Sequence, residues 1–247
     1  MLPLPSWKRA IDLVGVALAL PVLAACMVVA AAILACNAPG PIFFRQERVG
    51  SQGRKFILYK FRTMRLGAET GSHEAHVTSL LRSNQPMQKM DGRRDPRLVP
   101  GGWFVRASGL DELPQILNVL RGEMSLVGPR PCVAYEFDQY TAQQKQRFDA
   151  LPGLTGLWQV SGKNRTTFET MIELDIAYTR QSSLWLDLKI IGLTVPALIA
   201  QVLDTTRQRA LRTSTATLAG PSHEPSGTFT PQSERKSPPK SGAHAQA

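Results

Sequence analysis

Two adjacent carboxylates are the residues of this chain best suited to chemistry. Asp111 and Glu112 stand in the segment RASGLDELP, residues 106–114. Neighbouring carboxylates repel each other unless a cation lies beside them. Mg²⁺ meets that need, because it binds one or two carboxylates together with phosphate oxygens. The pair is therefore compatible with a magnesium-assisted site. From composition alone, the favoured interpretation is that both acids only complement the positive end of a helix dipole.

The same segment contains the signals of a helix start. Ser108 can cap a helix, and Asp111 follows three residues later as in a capping box. Pro114 is tolerated in a first turn. We therefore expect a helix over residues 110–120 that carries both carboxylates at its beginning.

Cations that could bind a phosphate lie in two other segments. Arg130 stands between Pro129 and Pro131, and these prolines fix the backbone, so a forked guanidinium clamp loses little entropy on binding. A plain surface turn is the alternative. Lys60 and Arg62 alternate with apolar residues, which places both on one face of a strand. The sequence alone does not prove that these cations meet the carboxylates.

A run of 24 uncharged residues, 13–36, raises the question of where the protein lies relative to a membrane. It is long enough to span a bilayer, which needs about 20 apolar residues. Lys8 and Arg9 precede the run, and Arg45 and Arg48 follow it. The positive-inside rule therefore favours both ends on the cytoplasmic side.

A segment with two cytoplasmic ends must turn back within the membrane. Pro21 lies inside the run and lacks an N–H, so it offers a place for a kink. We predict a re-entrant membrane anchor over residues 1–38. Three alternatives are a straight transmembrane anchor, a lipoprotein signal that ends at Cys26, and a buried core helix.

Composition limits the classes of protein and of partner. The 247 residues carry a net charge of +10, which favours anionic partners. Aromatic residues are not interleaved with the basic ones, so we expect no nucleic acid partner. Residues 205–247 are rich in Ser, Thr, Pro and Gly and predict a disordered tail. Cys26, Cys36 and Cys132 have no close Cys or His pairing, which supports neither a disulfide framework nor a zinc site.

The remaining pattern predicts a small α+β domain. Strand-like runs at 41–44 and 55–61, separated by Gly50 and Gly53, indicate a β-hairpin. The last predicted helix has apolar residues with Trp185 near its start and is expected to lie in the bilayer interface. The predicted helices are 110–120, 135–149, 167–182 and 184–203.

A polar segment, residues 65–95, predicts a mobile loop. It contains His73 and His76, which are spaced closely enough to bind one metal ion. No third ligand follows nearby, so solvated loop side chains are the favoured interpretation.

Together these segments form a series of motifs that resembles the bacterial sugar transferase family, the monotopic phosphoglycosyl transferases. The resemblance runs from about Trp7 to Leu203, with the motifs in the order and spacing of the family. Any one motif would be weak, and the series is highly specific. The motifs are KRAID at 8–12, PGPIFFRQERVG at 39–50, YKFRTM at 59–64, LDELPQ at 110–115, GPRP at 128–131, PGLTG at 152–156 and SLWLDLK at 183–189.

The resemblance implies a fold and an activity. The expected fold class is α+β and predominantly helical, with a re-entrant N-terminal membrane helix over 1–38 and a small β-hairpin. A helical cytosolic catalytic domain with interfacial helices is expected over 39–204. Family members act at the cytoplasmic face of the bacterial inner membrane. They transfer a sugar 1-phosphate from a UDP-sugar to undecaprenyl phosphate, which starts exopolysaccharide, O-antigen or glycan assembly.

The resemblance also implies residue roles and partners. Asp111 would be the nucleophile that attacks the β-phosphate and forms a phosphosugar-aspartyl intermediate, and it would be the metal ligand for Mg²⁺. Glu112 would help to hold the metal or to manage protons. The implied partners are the UDP-sugar, undecaprenyl phosphate and membrane lipids, and a homo-oligomer is left open. The candidates for phosphate binding or acidic support are Arg106, Arg130, Lys60, Arg62 and Asp175.

The chain departs from the family pattern in two places. Many members carry a Ser-Pro break about one helical turn further from the aspartate matched by Asp12 than Pro21 is here. The position and angle of the bend are therefore open. Trp103, Ala107 and Leu151 stand where basic residues are common, which thins the positive surface near the carboxylates.

A non-catalytic membrane scaffold of the same fold is the main rival function. Such a scaffold would be expected to lose the carboxylate pair, whereas Asp111 and Glu112 are both present. Longer members have a helical N-terminal region with no counterpart before Trp7, so we expect the minimal catalytic form.

Overall fold

The computed structural model describes residues 5–67, 97–162 and 166–218. Nearly all of the predicted loop at 65–95, with His73 and His76, lies outside the described residues. The same is true of the predicted tail after Leu218.

The first helix, α1, spans Ser6–Asn37. It follows Pro5 and ends before Pro39 and Gly40, two residues that do not continue a helix. The helix is continuous through Pro21, so the structure does not show the predicted break. Pro21 has no N–H for the carbonyl one turn earlier, and helical backbone on both sides tolerates that single missing bond.

One face of α1 packs along the domain from end to end. Its buried residues recur at helical spacing, whereas the opposite face exposes large apolar side chains. The helix is about 48 Å long at 1.5 Å per residue. The buried residues are Lys8, Asp12, Val16, Ala30 and Leu34.

The predicted hairpin is confirmed. Strands β1 (Phe43–Val49) and β2 (Lys55–Phe61) pair antiparallel, with Phe43 opposite Phe61 and Val49 opposite Lys55. The connecting turn contains a 3₁₀ helix, Ser51–Gly53, in which Gln52 has a φ of 53°.

The rest of the described chain is mostly helical, as predicted. A second small sheet was not predicted, because three-residue strands give no alternating pattern: β3 (Ser125–Val127) and β4 (Gly153–Thr155) pair in parallel. The other helices are α2 (Gly102–Ala107), α3 (Ile116–Arg121), α4 (Ala134–Gln139), α5 (Ala142–Lys145), α6 (Leu157–Val160), α7 (Phe168–Gln181) and α8 (Leu184–Leu218), with 3₁₀ helices at Leu110–Gln115 and Gln146–Asp149.

The last helix is longer than the predicted segment 184–203. It continues to Leu218, into the first part of the segment predicted as disordered. The chain divides into two units, residues 1–209 and 210–247, and the described part of the second unit is the end of α8.

Two apolar clusters join α1 to the elements around the carboxylate pair. Ala30 and Leu34 from α1 pack with Phe61 of β2 and Val105 of α2. Nearer the start of α1, a second cluster ties the helix to β2 and α3. Its buried members are Val16, Leu58, Ile116, Val119 and Met124.

Candidate active site

The two carboxylates lie on the 3₁₀ helix Leu110–Gln115, which leads directly into α3. Gly109 precedes it with a φ of 76°, a left-handed conformation that favours glycine. The predicted Ser108 cap is wrong. Its hydroxyl donates instead to the carbonyl of Phe104 at 2.8 Å, because Ser108 ends α2 and the reversal at Gly109 turns it away from the next helix.

Lys60 is a cation that the structure brings to the pair. Its Nζ lies 3.3 Å from Oε1 of Glu112, and both side chains are partly exposed. Asp111 is buried, with 7% of its surface exposed. The site therefore offers one buried carboxylate beside a second that already has a lysine partner. That lysine can reach an anion that approaches the carboxylates.

Both long apolar helices lie against this site. Leu110 packs on the cluster that contains Ala30 and Leu34 of α1. On the other side, Gln201 of α8 donates to the carbonyl of Ala107 at 3.0 Å. A Cβ at Gly109 would lie 3.5 Å from the Leu198 side chain of α8, so that helix approaches the backbone just before the carboxylates.

Arg62 and Arg106 were both predicted to bind phosphate, and the structure shows backbone contacts for each of them. Arg62 is buried, and its guanidinium donates to the carbonyls of Pro41 at 2.5 Å and Pro39 at 2.9 Å. These bonds secure the chain between α1 and β1. Arg106 lies in the last turn of α2, and its carbonyl accepts the Gly109 N–H at 3.3 Å. It lies five positions before Asp111, on the other side of the reversal at Gly109.

Arg130 and Asp175 meet each other in a separate cluster. The Arg130 N–H donates to Asp175 Oδ2 at 3.2 Å, and the Arg130 guanidinium pairs with Glu136 at 3.0 Å. Arg147, fully buried, pairs with Asp175 and donates to the Arg130 carbonyl at 2.9 Å. Glu136 and Arg147 were missed in the sequence. No local pattern pairs them with Arg130 or Asp175, because neighbouring side chains on a helix are three or four positions apart and Arg147 is 28 positions from Asp175.

This cluster lies at the far end of the hairpin from the carboxylates. Cys132 forms an isolated backbone β-bridge with Val49. Val49 pairs with Lys55, and Lys55 is five residues before Lys60 on β2. At about 3.3 Å per residue, the separation along the strand is about 17 Å. The structure therefore brings Lys60 to Glu112, and it places Arg130 and Asp175 elsewhere.

Burial sets the charge state of the cluster. Burial, with Arg130 nearby, lowers the pKa of Arg48 to about 10. Burial by itself would raise the pKa of the Glu136 carboxyl, but the charges of Arg130 and Arg48 outweigh burial and lower this pKa. The arginines and Glu136 are therefore all charged at neutral pH, as expected of a buried ion-pair cluster that holds its segments together.

The described cavity of about 510 Å³ is also away from the carboxylates. It lies between the start of α1, the hairpin turn and the end of α7, where Trp7, Gln52 and Tyr178 contribute to its lining. Asp111 and Glu112 do not line it. The chemistry of the side chains, rather than the cavity, identifies the candidate site.

The carboxylate pair has a donor set that fits magnesium. No group of three His, Cys, Asp or Glu side chains that could hold a metal occurs among the described residues. Mg²⁺ does not need one, because water and phosphate oxygens complete its coordination around one or two carboxylates. Asp111 is the first candidate ligand. Glu112, the adjacent residue, pairs with Lys60.

The fold and this site define a membrane-associated protein with a carboxylate pair beside its apolar helices. Two helices within the described residues are long and apolar enough to cross a membrane, Ser6–Asn37 and the Leu184–Asp204 part of α8. The chain belongs to the bacterial sugar transferase family, whose family model matches residues 5–201.

Several curated relatives are similar to this chain. The galactosyl transferase CpsE of Streptococcus agalactiae serotype III (strain NEM316) is 44% identical over 161 residues, which are 65% of this chain and 35% of CpsE. The UDP-glucose:undecaprenyl-phosphate glucose-1-phosphate transferase of Caulobacter vibrioides is 41% identical over 200 residues, 78% of this chain and 69% of the relative. The exopolysaccharide production protein ExoY of Sinorhizobium fredii is 36% identical over 190 residues, 77% and 84% of the two chains.

Proposed function

We propose that this chain transfers a sugar 1-phosphate from a UDP-sugar to undecaprenyl phosphate. The proposal takes the reaction from relatives whose names state it, such as the Caulobacter vibrioides protein. The observation that carries it here is the position of Asp111 and Glu112, with Lys60 beside them, between α1 and α8. A site for a water-soluble sugar nucleotide and a lipid phosphate needs polar groups at the edge of an apolar surface.

The proposed reaction has two steps at phosphorus. A carboxylate oxygen of Asp111 attacks the β-phosphorus of the UDP-sugar, and the bond from that phosphorus to the bridging oxygen breaks. UMP leaves with the bridging oxygen and its electron pair. A phosphate oxygen of undecaprenyl phosphate then attacks the same phosphorus and releases the Asp111 carboxylate. The product is undecaprenyl diphosphate-sugar.

The side chains around Asp111 support that role. A carboxylate is a weak nucleophile, so the negative charge of the diphosphate must be offset before attack. Lys60 can supply a positive charge, since its Nζ is 3.3 Å from Glu112 and its side chain is partly exposed. Bound Mg²⁺, held by Asp111 with help from Glu112, would offset further charge on the diphosphate. Arg106, at the end of the preceding helix α2, is the candidate to bind the departing phosphate.

We further propose that α1 enters one leaflet and does not cross the membrane. Its two ends contact the same domain: Arg9 donates to the carbonyl of Val119 at 2.5 Å, and Leu34 packs near Phe61. A helix that crossed the membrane would carry one end about 30 Å away through the hydrocarbon core. The outward face, with Leu18 at 78% exposed and Val22 at 67%, would contact lipid. This arrangement supports a position on the cytoplasmic face of the inner membrane.

The test is a transfer assay with a panel of UDP-sugars. Membranes that contain the protein are incubated with each UDP-sugar and undecaprenyl phosphate, and UMP and the lipid-linked sugar are measured. We expect one sugar to give UMP and the lipid product in equal amounts. Asp111→Asn should abolish both, whereas Asp149→Asn, which changes an exposed carboxylate elsewhere, should abolish neither. Absence of UMP with every UDP-sugar would favour the non-catalytic scaffold.

A further inference from the structure

Asn118 is a fully buried polar residue on α3, with none of its surface exposed. Its side-chain amide makes three hydrogen bonds. Oδ1 accepts the backbone N–H of Tyr59 at 3.2 Å, while Nδ2 donates to the carbonyl of Ile57 at 2.6 Å and to Oε2 of Glu123 at 2.7 Å. The amide oxygen and both amide hydrogens therefore have hydrogen-bond partners.

Two of these bonds complete the edge of strand β2. Among the described residues the hairpin sheet has two strands, so β2 has β1 on one side and no strand on its other edge. An open edge leaves backbone N–H and carbonyl groups without partners. The Asn118 amide presents one donor and one acceptor to Ile57 and Tyr59, as a peptide group of a neighbouring strand would.

These bonds link the two halves of the candidate active site. Tyr59 directly precedes Lys60, whose Nζ lies 3.3 Å from Glu112. Asn118 lies on the helix that continues from the 3₁₀ helix of Asp111 and Glu112. The same side chain therefore holds the strand of the lysine against the helix of the carboxylates.

We propose that Asn118 is a positioning residue, which places Lys60 beside Asp111 and Glu112 by fixing β2 against α3. This inference rests on the proposed function. Asn118 touches neither substrate, and it acts through Lys60. Arg121, one turn later on α3, supports the same contact because it donates to the Tyr59 hydroxyl at 2.8 Å.

A double-mutant cycle on the transfer reaction tests this role. Asn118→Ala, Lys60→Met and the double variant are compared in kcat for the UDP-sugar that the wild type uses. Because residues that act as a unit couple by several fold, we expect each single variant to lower kcat by about tenfold and the double variant to be no more than about threefold worse than either. A general structural role would instead lower kcat by the same factor with and without Lys60.

Thr179→Val provides the control for stability. The Thr179 hydroxyl donates to the carbonyl of Asp175 at 2.9 Å in α7, outside the candidate active site. This variant should lower thermal stability and leave the effect of Lys60→Met unchanged. If Asn118→Ala does not fold, Asn118→Leu takes its place in the cycle, because leucine keeps a similar side-chain volume and loses all three hydrogen bonds.

Hydrogen exchange at the Tyr59 amide gives an independent measurement. Protection of this amide should fall in Asn118→Ala, and an equal loss is expected in Asn118→Leu because the acceptor is gone in both variants. Multiplicative effects in the cycle, or unchanged protection of Tyr59 in Asn118→Ala, would overturn the inference while the transfer reaction itself stands. A wild-type protein that transfers no sugar would instead remove the proposed function, and the exchange result would still report on the Asn118 contact.

Discussion

The ammonium group of Lys8 lies 2.5 Å from Oδ2 of Asp187, and both side chains are buried. This ion pair joins α1 and α8 across 179 positions. Lys8 also donates to the carbonyl of Val127 and to the hydroxyl of Tyr178, each at 2.7 Å. The start of α1 is therefore fixed to β3, α7 and α8 by one side chain.

Replacement of Lys8 should destabilise the protein strongly. Lys8→Met leaves the Asp187 carboxylate buried without its cation, and breaking a buried pair in this way costs about 3–5 kcal/mol. The measurement is thermal unfolding in detergent or nanodiscs. Lys55→Met is the matched control, because Lys55 pairs with Glu47 in the open, and it should leave the melting temperature nearly unchanged. Equal melting temperatures for the two variants would contradict this account of the pair.

The two lysines of β2 should differ in their effect on activity. Lys60→Met removes the cation beside Glu112, and a hydrogen bond to a charged group contributes about 1.5–3 kcal/mol, so kcat should fall by about tenfold or more. Lys55→Met, on the same strand but at its far end, should keep wild-type kcat. The measurement is UMP release at saturating UDP-sugar. Equal kcat for both variants would remove Lys60 from the site.

Both ends of α1 should react from the cytoplasmic side. In a background without Cys26, Cys36 and Cys132, the variants Ser6→Cys and Arg45→Cys are exposed to a membrane-impermeant maleimide in inside-out and right-side-out vesicles. We expect labelling of both in inside-out vesicles only, since both ends of the helix contact one domain. A Ser6→Cys variant that labels only from the periplasmic side would restore the transmembrane anchor.

Cys132 should make stability depend on pH in the alkaline range. Burial, together with the nearby Glu136, raises the pKa of this thiol to about 12 from its usual 9.0. The folded state therefore favours the protonated thiol, and this contribution is present below pH 9 and is lost as the pH rises toward 12. Urea unfolding of the wild type should weaken more steeply above pH 9 than that of Cys132→Ala. Parallel pH profiles would show that the thiol is not held in its neutral form.

Local patterns in the sequence predicted the elements well and their contacts poorly. The hairpin at Phe43–Phe61 was predicted from two short apolar runs separated by glycines, which is a property of neighbouring residues, although its first strand lies at Phe43–Val49 and not at 41–44. The helix at Phe168–Gln181 lies within the predicted segment 167–182. The predicted Ser108 cap was wrong because Gly109, which can adopt a positive φ, is the residue that precedes the helix instead. Boundary residues of short helices depend on the path of the chain as much as on side-chain preference.

The candidate site was predictable in its carboxylates and not in its neighbours. Asp111 and Glu112 are adjacent in sequence, so their proximity needs no fold. The partners of Arg130 depend on tertiary structure: Asp175 is 45 positions away, and the cluster they form with Arg147 has no local signature. Asn118 was missed for the same reason. Its bonds to β2 join residues about 60 positions apart, and in the sequence Asn118 looks like an ordinary helix residue.

The most direct test of the central claim is to look for the sugar phosphate on Asp111. The protein is incubated with the UDP-sugar that it uses, without undecaprenyl phosphate, quenched in acid and analysed by intact mass and peptide mapping. The account predicts UMP release up to one equivalent, a mass gain of one sugar phosphate on the peptide that contains Asp111, and loss of both in Asp111→Asn. Unmodified protein, with UMP released only when the lipid phosphate is present, would contradict it.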